Sequence, residues 1–209
     1  MMKKFLYSLA VTVFISQGAH AQTTGTFTDS RDGQTYKTIS FENALLGTSI
    51  TWMAQNLNYK ATDSYAYDNN ESYRKALGLL YTWEAAKKAC PSGWHLATDS
   101  EWSMLVSEFG GTDKAGEALK SSKGWNENGN GTNSSGLNVL PSGGRSRDGS
   151  FFDIGETGFF WSPTIVEKKD TYQPFLYTRR INVYHFTGKV SLYDKYDSEC
   201  GFAVRCVRD

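Results

Sequence analysis

Between Trp125 and Asn128 the chain sets an indole beside side-chain amides, Trp125-Asn126-Glu127-Asn128. In such groupings a flat aromatic face stacks on a pyranose ring while amides bond its hydroxyls. The run lies in a stretch from Ser121 to Leu137 dominated by Gly, Asn and Ser, the composition of an irregular surface loop. Trp125, Asn126 and Asn128 are therefore candidate ligand-binding residues. A second cluster places Arg145, Arg147, Asp148 and Asp153 around Phe151-Phe152. If exposed, paired aromatics there mark a contact surface, with Arg145 and Phe151 as its candidates. Tyr67-Asp68-Asn69-Asn70-Glu71 gathers hard oxygen donors of the kind Ca²⁺ takes. Asp68, Asn70 and Glu71 are its candidate metal ligands, although the spacing is not that of an EF-hand and Asp/Asn clusters also form turns.

Catalytic groups are harder to assemble. His95 and His185 lie among aromatic and apolar neighbours and read as packed histidines. The acid pairs Asp194 with Asp197 and Glu167 with Asp170 have the side chains of glycosidic hydrolysis, but spacing alone does not set the separation of their carboxylates. There is no Gly-rich phosphate loop, no H-E-x-x-H and no G-x-S-x-G. The expectation is a non-catalytic protein without a cofactor, Ca²⁺ at the Asp68 cluster being the one ion in view. With 22 Lys+Arg against 22 Asp+Glu the chain has no net charge at neutral pH, and so lacks the electrostatic footprint of a nucleic-acid binder.

These residues must be held by a core, and 39% hydrophobic content over 209 residues is enough for one. Alternation through Tyr36, Ile39, Phe41, Ile50, Trp52 and Met53 predicts an opening hairpin turning at Asn43 to Gly47. Lys60 to Arg74 has no apolar period and reads as a loop. Thr82 can cap a short helix with Trp83, Ala86 and Cys90 on one face, ended by Pro91. Thr98-Asp99-Ser100-Glu101 is a capping box ahead of Trp102, Leu105, Val106 and Phe109, and Gly110-Gly111 stops that helix. Thr112 can cap a third helix with Ala115, Ala118 and Leu119 inward. Strand signals follow at Leu137 to Leu140, Phe159 to Ser162, Phe175 to Phe186, Val190 to Tyr193 and Phe202 to Cys206, the last with Phe202, Val204 and Cys206 on one face. Trp52, Trp83, Trp94, Trp102 and Trp161 all fall in elements that predict burial. The class is α+β, short helices packed on antiparallel sheets with long irregular loops.

Lys3 and Lys4, the apolar stretch Phe5 to Ile15 and Ala19-His20-Ala21 read as a signal peptide over residues 1–21, cleaved before Gln22. The expected product, residues 22–209, is one domain, secreted or held at the envelope or cell surface, with no membrane span. An oxidising compartment favours a disulfide among Cys90, Cys200 and Cys206. Cys90 with Cys206 joins a helix end to the last strand; Cys200 is then free, or is the alternative partner of Cys90.

Trp52-Met53-Ala54-Gln55-Asn56-Leu57, Leu80-Tyr81-Thr82-Trp83, Cys90-Pro91-Ser92-Gly93-Trp94-His95-Leu96 running into Asp99-Ser100-Glu101-Trp102, and Gly110-Gly111 follow in order along the chain. Leu140-Pro141-Ser142-Gly143-Gly144-Arg145, Phe160-Trp161-Ser162-Pro163-Thr164 and Gly201-Phe202-Ala203-Val204-Arg205-Cys206-Val207 complete the series. Together they resemble the Fibrobacter succinogenes major paralogous domain from about Phe27 to Asp209. The resemblance implies a C-type lectin-like fold in a secreted or surface protein of bacteria, and brings no activity with it. It does not extend to calcium-bridged sugar binding, since there is no Glu-Pro-Asn triplet and Trp125-Asn126-Glu127 stands in a different context. Nor does it extend to the redox cysteine pair of formylglycine-generating proteins, which is close in sequence, because Cys200 and Cys206 are separated by five residues. The expected role is binding or adhesion at the cell envelope, with a polysaccharide or a surface protein as partner; a structural subunit of a surface appendage is the alternative.

Overall fold

The computed structural model describes residues 22–43, 48–166 and 176–209. The expected signal peptide, most of the Asn43 to Gly47 turn and the acid pair Glu167/Asp170 lie outside the described residues. The first half of the chain carries β1 (Gln22–Thr28), β2 (Thr35–Asn43), β3 (Thr48–Met53), β4 (Ser64–Tyr65), α1 (Glu71–Leu77), β5 (Leu80–Tyr81), α2 (Trp83–Ala89), β6 (Trp94–Leu96), α3 (Asp99–Glu108) and α4 (Ala115–Leu119). The second half is all strand: β7 (Ser142–Arg145), β8 (Phe151–Ile154), β9 (Thr157–Val166), β10 (Tyr177–Tyr184), β11 (Val190–Asp197), β12 (Phe202–Ala203) and β13 (Cys206–Arg208). The class is α+β, as expected, with sheet predominating over a few short helices.

One sheet runs β1-β2-β3-β13-β6, the other β11-β10-β9-β12-β5-β4, with β7 and β8 joined to it beside β9. The last strand segment serves both. Phe202-Ala203 pairs with β5 and β9, and two residues later Cys206–Arg208 pairs with β3 and β6. Phe202, Val204 and Cys206 share one buried cluster while Ala203 and Val207 face the other, so the expected alternation holds although the strand changes sheet at Val204-Arg205.

Helix α3 joins the sheets. Its capping box is present: Thr98 Oγ1 accepts from the Glu101 amide and Glu101 Oε2 accepts from the Thr98 amide. This points Trp102 inward, 4.8 Å from Trp52 on β3 and 5.3 Å from Phe160 on β9. Trp102 thereby bridges the two sheets, and the other four tryptophans expected in the core are buried too. Truncating such a ring costs roughly 3–5 kcal/mol.

Three expectations change. Residues 71–77 form a helix where a loop was expected; α1 buries no residue and so leaves no apolar period, and it is started by Asn70, whose side chain accepts from the Ser72 amide. Thr112 does not cap α4, which begins at Ala115 after Lys114 with no side-chain cap. Leu137 to Leu140 is not a strand: Val139 makes a single bridge to Lys120, and the left-handed Asn138 (φ 56°) interrupts any extension.

Cys90 and Cys206 are bonded, 116 residues apart, and Cys200 is free and buried. In the chain-entropy picture a ring this long is worth about 4–5 kcal/mol. The paired substitution Cys90→Ser/Cys206→Ser should lower unfolding stability by about that amount, read from denaturant midpoints. Burial raises the Cys200 thiol to about 11, so iodoacetamide should label it only after unfolding. His95 bonds Asp209 through Nδ1 (2.6 Å) and Glu101 through Nε2 (2.8 Å). Partial burial pulls its pKa down, but these two carboxylates outweigh burial and raise it. The contribution is present in full below the unfolded value of about 6.5 and is lost as pH rises through the folded one. The stability margin of the native chain over His95→Gln should therefore shrink between pH 6 and pH 8, and a pH-independent margin would show that His95 is not charged in the fold.

A polar cleft as candidate functional site

A cleft of about 300 Å³ opens where β2, the segment after β3, helix α1 and the Ser121 to Leu140 loop converge. Its back is a chain of fixed polar groups. Asn58 Nδ2 donates to Gln34 Oε1 at 2.7 Å, and Gln34 Nε2 donates to the Asn58 carbonyl at 3.0 Å and to Asp32. Arg74 Nε donates to Asn58 Oδ1 at 2.9 Å and Nη2 reaches the Asn58 carbonyl, while Nη1 meets Glu71 at 3.3 Å. The Asn58 amide donates to the Tyr36 hydroxyl at 3.1 Å. Burial holds that phenol at about 12, so it stays protonated and keeps its own proton to donate.

Helix α1 is held over this wall by close approach at its end. Gly78 takes φ +80°, and a Cβ there would stand 2.8 Å from Asn56 Cβ and 2.9 Å from the Leu57 carbonyl. Asn56 ties the same place from below, donating through Nδ2 to the Leu77 carbonyl at 2.8 Å and accepting from Arg205 Nε at 2.9 Å. Arg205 is fully buried and gives its remaining bonds to the carbonyls of Met53, Leu137 and Asn138, which fixes the loop wall of the cleft. Burial lowers its pKa to about 9, still above neutrality. Gln55, Asn138, Lys75 and Lys123 complete the polar lining. Among the described residues no Asp, Glu, His or Cys lines the cleft.

The residues expected from sequence to bind ligand lie elsewhere and do not form one site. Trp125 is 5% exposed. Its Nε1 donates to Ser121 Oγ at 2.9 Å and the Lys120 ammonium stands 5.4 Å over its ring, so the stacking face expected there is closed. Lys120 is itself buried, donating to the carbonyls of Tyr184, His185 and Thr187 at 3.2 Å each. Asn126 and Asn128 are exposed in a tight turn, where the Asn126 amide donates to the Gly155 carbonyl and its own carbonyl accepts from Gly129. Arg145 lies over the Tyr65 ring at 3.9 Å and Phe151 packs 5.1 Å from Tyr67. Phe151 thus closes its loop onto the domain in place of forming an exposed aromatic pair.

The expected calcium ligands have other work. Asn70 caps α1, Glu71 pairs with Arg74, and Asp68 holds a left-handed turn (φ 51°). No group of three or more His, Cys, Asp or Glu that could hold a metal occurs among the described residues. Asp194 accepts from Asn182, and Asp197 accepts from the Glu199 amide, each as a structural acceptor. Arg180 is caged between Tyr196 (3.7 Å), Phe159 (4.3 Å) and Phe202 (4.8 Å), its Nε and Nη1 without a hydrogen-bond partner among the described residues.

Sequence reasoning missed the cleft because its groups come from four separated segments. The one local signal is Gln55-Asn56, two amides inside an otherwise apolar run. With the geometry in place, comparison with curated proteins gives no match, and neither does comparison with solved structures. The description "Fibrobacter succinogenes major domain" matches residues 31–208, nearly the whole chain and every segment that builds the cleft. The chain belongs to the Fibrobacter succinogenes major domain family.

Proposed function

We propose that the protein is an exported, non-catalytic binding module of C-type lectin-like architecture that holds a polysaccharide, or a surface protein, in the amide-lined cleft. The observation that carries the reading is the cleft itself: polar groups already fixed by internal hydrogen bonds, with no Asp, Glu, His or Cys in the lining among the described residues. Preorganised amides and hydroxyls bind a polar ligand without first being ordered. Export is supported by the Cys90–Cys206 bond, which an oxidising compartment maintains. The fold reading is supported by the sharing of one sheet between the opening strands and the last one. Neither cofactor nor Ca²⁺ is needed in this reading.

A second reading, a structural subunit of an envelope assembly, is favoured by β1. This seven-residue strand, Gln22-Thr23-Thr24-Gly25-Thr26-Phe27-Thr28, forms one edge of its sheet and carries no charge or proline to discourage pairing. Co-purification of a stoichiometric neighbour from native extracts would select it over a free binding module.

Asn138→Gly tests the cleft, because glycine takes the left-handed backbone at that position freely while the amide is removed. Binding of the disulfide-intact chain to a polysaccharide array and a surface-protein array should reveal a ligand, and the substitution should weaken it by about 3–10-fold, the worth of one hydrogen bond, with little change in melting temperature. No binding on either array, or binding indifferent to Asn138→Gly, overturns the reading. Melting in Ca²⁺ and in chelator should coincide.

A further inference from the structure

The hydrogen-bond inventory of the cleft is lopsided, and that imbalance names a ligand class. Its side-chain acceptors are largely used internally: Gln34 Oε1 by Asn58, Asn58 Oδ1 by Arg74, Asn56 Oδ1 by Arg205 and Gln55 Oε1 by the Lys37 amide. Donors are left over. The Tyr36 hydroxyl proton and Gln55 Nε2 have no acceptor among the described residues, and Arg74 uses three of its five N–H groups. Lys75 and Lys123, exposed residues of the lining from α1 and from the Ser121 to Leu140 loop, each carry an ammonium with three donors and form no ion pair among the described residues. Asp32 and Glu71 are engaged by the lining residues Gln34 and Arg74, and Asp29, which with Asp32 acts on Tyr36, is paired with Arg31.

A neutral sugar hydroxyl both donates and accepts, and so makes less use of the surplus donors than a group that only accepts. A carboxylate or sulfate oxygen only accepts, and charged donors bind it more strongly than neutral ones. We propose that the cleft binds an acidic saccharide, its uronate or sulfate group meeting Arg74, Lys75 and Lys123 and its ring hydroxyls meeting the Asn138 and Gln55 amides. This deepens the binding reading above and rests on it. The cavity, at the lower end of ligand-sized clefts, is of a size to take one sugar ring and its substituent.

Calorimetric titration of the disulfide-intact chain at low salt tests the assignment with matched pairs: an oligogalacturonate and its methyl ester, a sulfated chondroitin oligosaccharide and its desulfated form, and a polyglutamate peptide of similar charge. At least one acidic saccharide should bind tenfold or more tighter than its neutral or desulfated partner, and the pair that responds tells uronate from sulfate. The preference should fall with added salt, and should collapse towards unity in Lys75→Gln/Lys123→Gln with the melting temperature held. Equal binding of the esterified or desulfated partners would overturn the acidic assignment and leave the binding reading standing. Binding of no saccharide at all would remove the assignment together with the saccharide form of that reading. Tight binding of polyglutamate alone would overturn the assignment in favour of an acidic protein ligand.

Discussion

Arg205 is the point on which the architecture turns. A guanidinium with no solvent access is costly to bury without a counter-ion, and among the described residues it meets no carboxylate but four neutral acceptors, on Asn56, Met53, Leu137 and Asn138. The residue sits where the last strand segment leaves one sheet for the other. At such a switch the chain cannot complete either ladder, and the carbonyls that converge there need a donor that points in several directions. Arginine supplies five N–H groups in one plane. Removing the side chain would leave those carbonyls buried without a donor, a larger loss than the hydrogen bonds themselves.

The same arrangement builds the cleft. Arg205 orients Asn56, Asn56 fastens the end of α1, and α1 carries Arg74 onto Asn58, which in turn bonds Gln34. On the other side Arg205 holds Leu137 and Asn138, which return the long loop to the domain. Lys120 repeats the device at the far side of that loop, a buried ammonium bound by three carbonyls of the β10–β11 turn, its pKa lowered by the burial. A loop with neither helix nor strand is thus tied at its end by Arg205 bonded to its backbone, and at its start by Lys120 bonded to the carbonyls of Tyr184, His185 and Thr187. Loop rigidity of this kind is compatible with a glycine- and asparagine-rich composition, since many of its turns need left-handed residues that these types supply.

What could be read in advance and what could not divide along a physical line. Thr98 with Glu101, Thr82 ahead of Trp83, and the shared face of Phe202, Val204 and Cys206 were legible because each depends on neighbours in sequence or on a strand's period, whereas the Cys90–Cys206 pair was favoured over Cys90–Cys200 without being decided. Helix α1 was not, because it buries nothing and its start rests on one Asn side chain. Trp125 could be placed in a polar loop from sequence, but not pointed: a bond from its indole to Ser121 and the cation above it turn the ring inward. The cleft was hidden for a related reason, since Gln34, Asn58 and Arg74 acquire their roles only from one another. Gln55 and Asn56, amides where an apolar run leads one to expect core, were its visible trace.

The Cys90–Cys206 bond also decides how this fold would bear a mechanical load. Tension entering beyond Cys206 crosses the covalent bridge to Cys90 and continues along the chain towards β1, so residues 91–205 hang off the load path as a closed ring. That ring contains α3, the Trp102 junction and the whole β9–β10–β11 sheet, none of which can be drawn out as free chain while the bond is intact. Even when the hydrogen bonds of β1, β2 and β3 give way, the extension available is set by the residues outside the ring. A tethered domain of this design stretches by the fixed length of chain outside the ring and then holds.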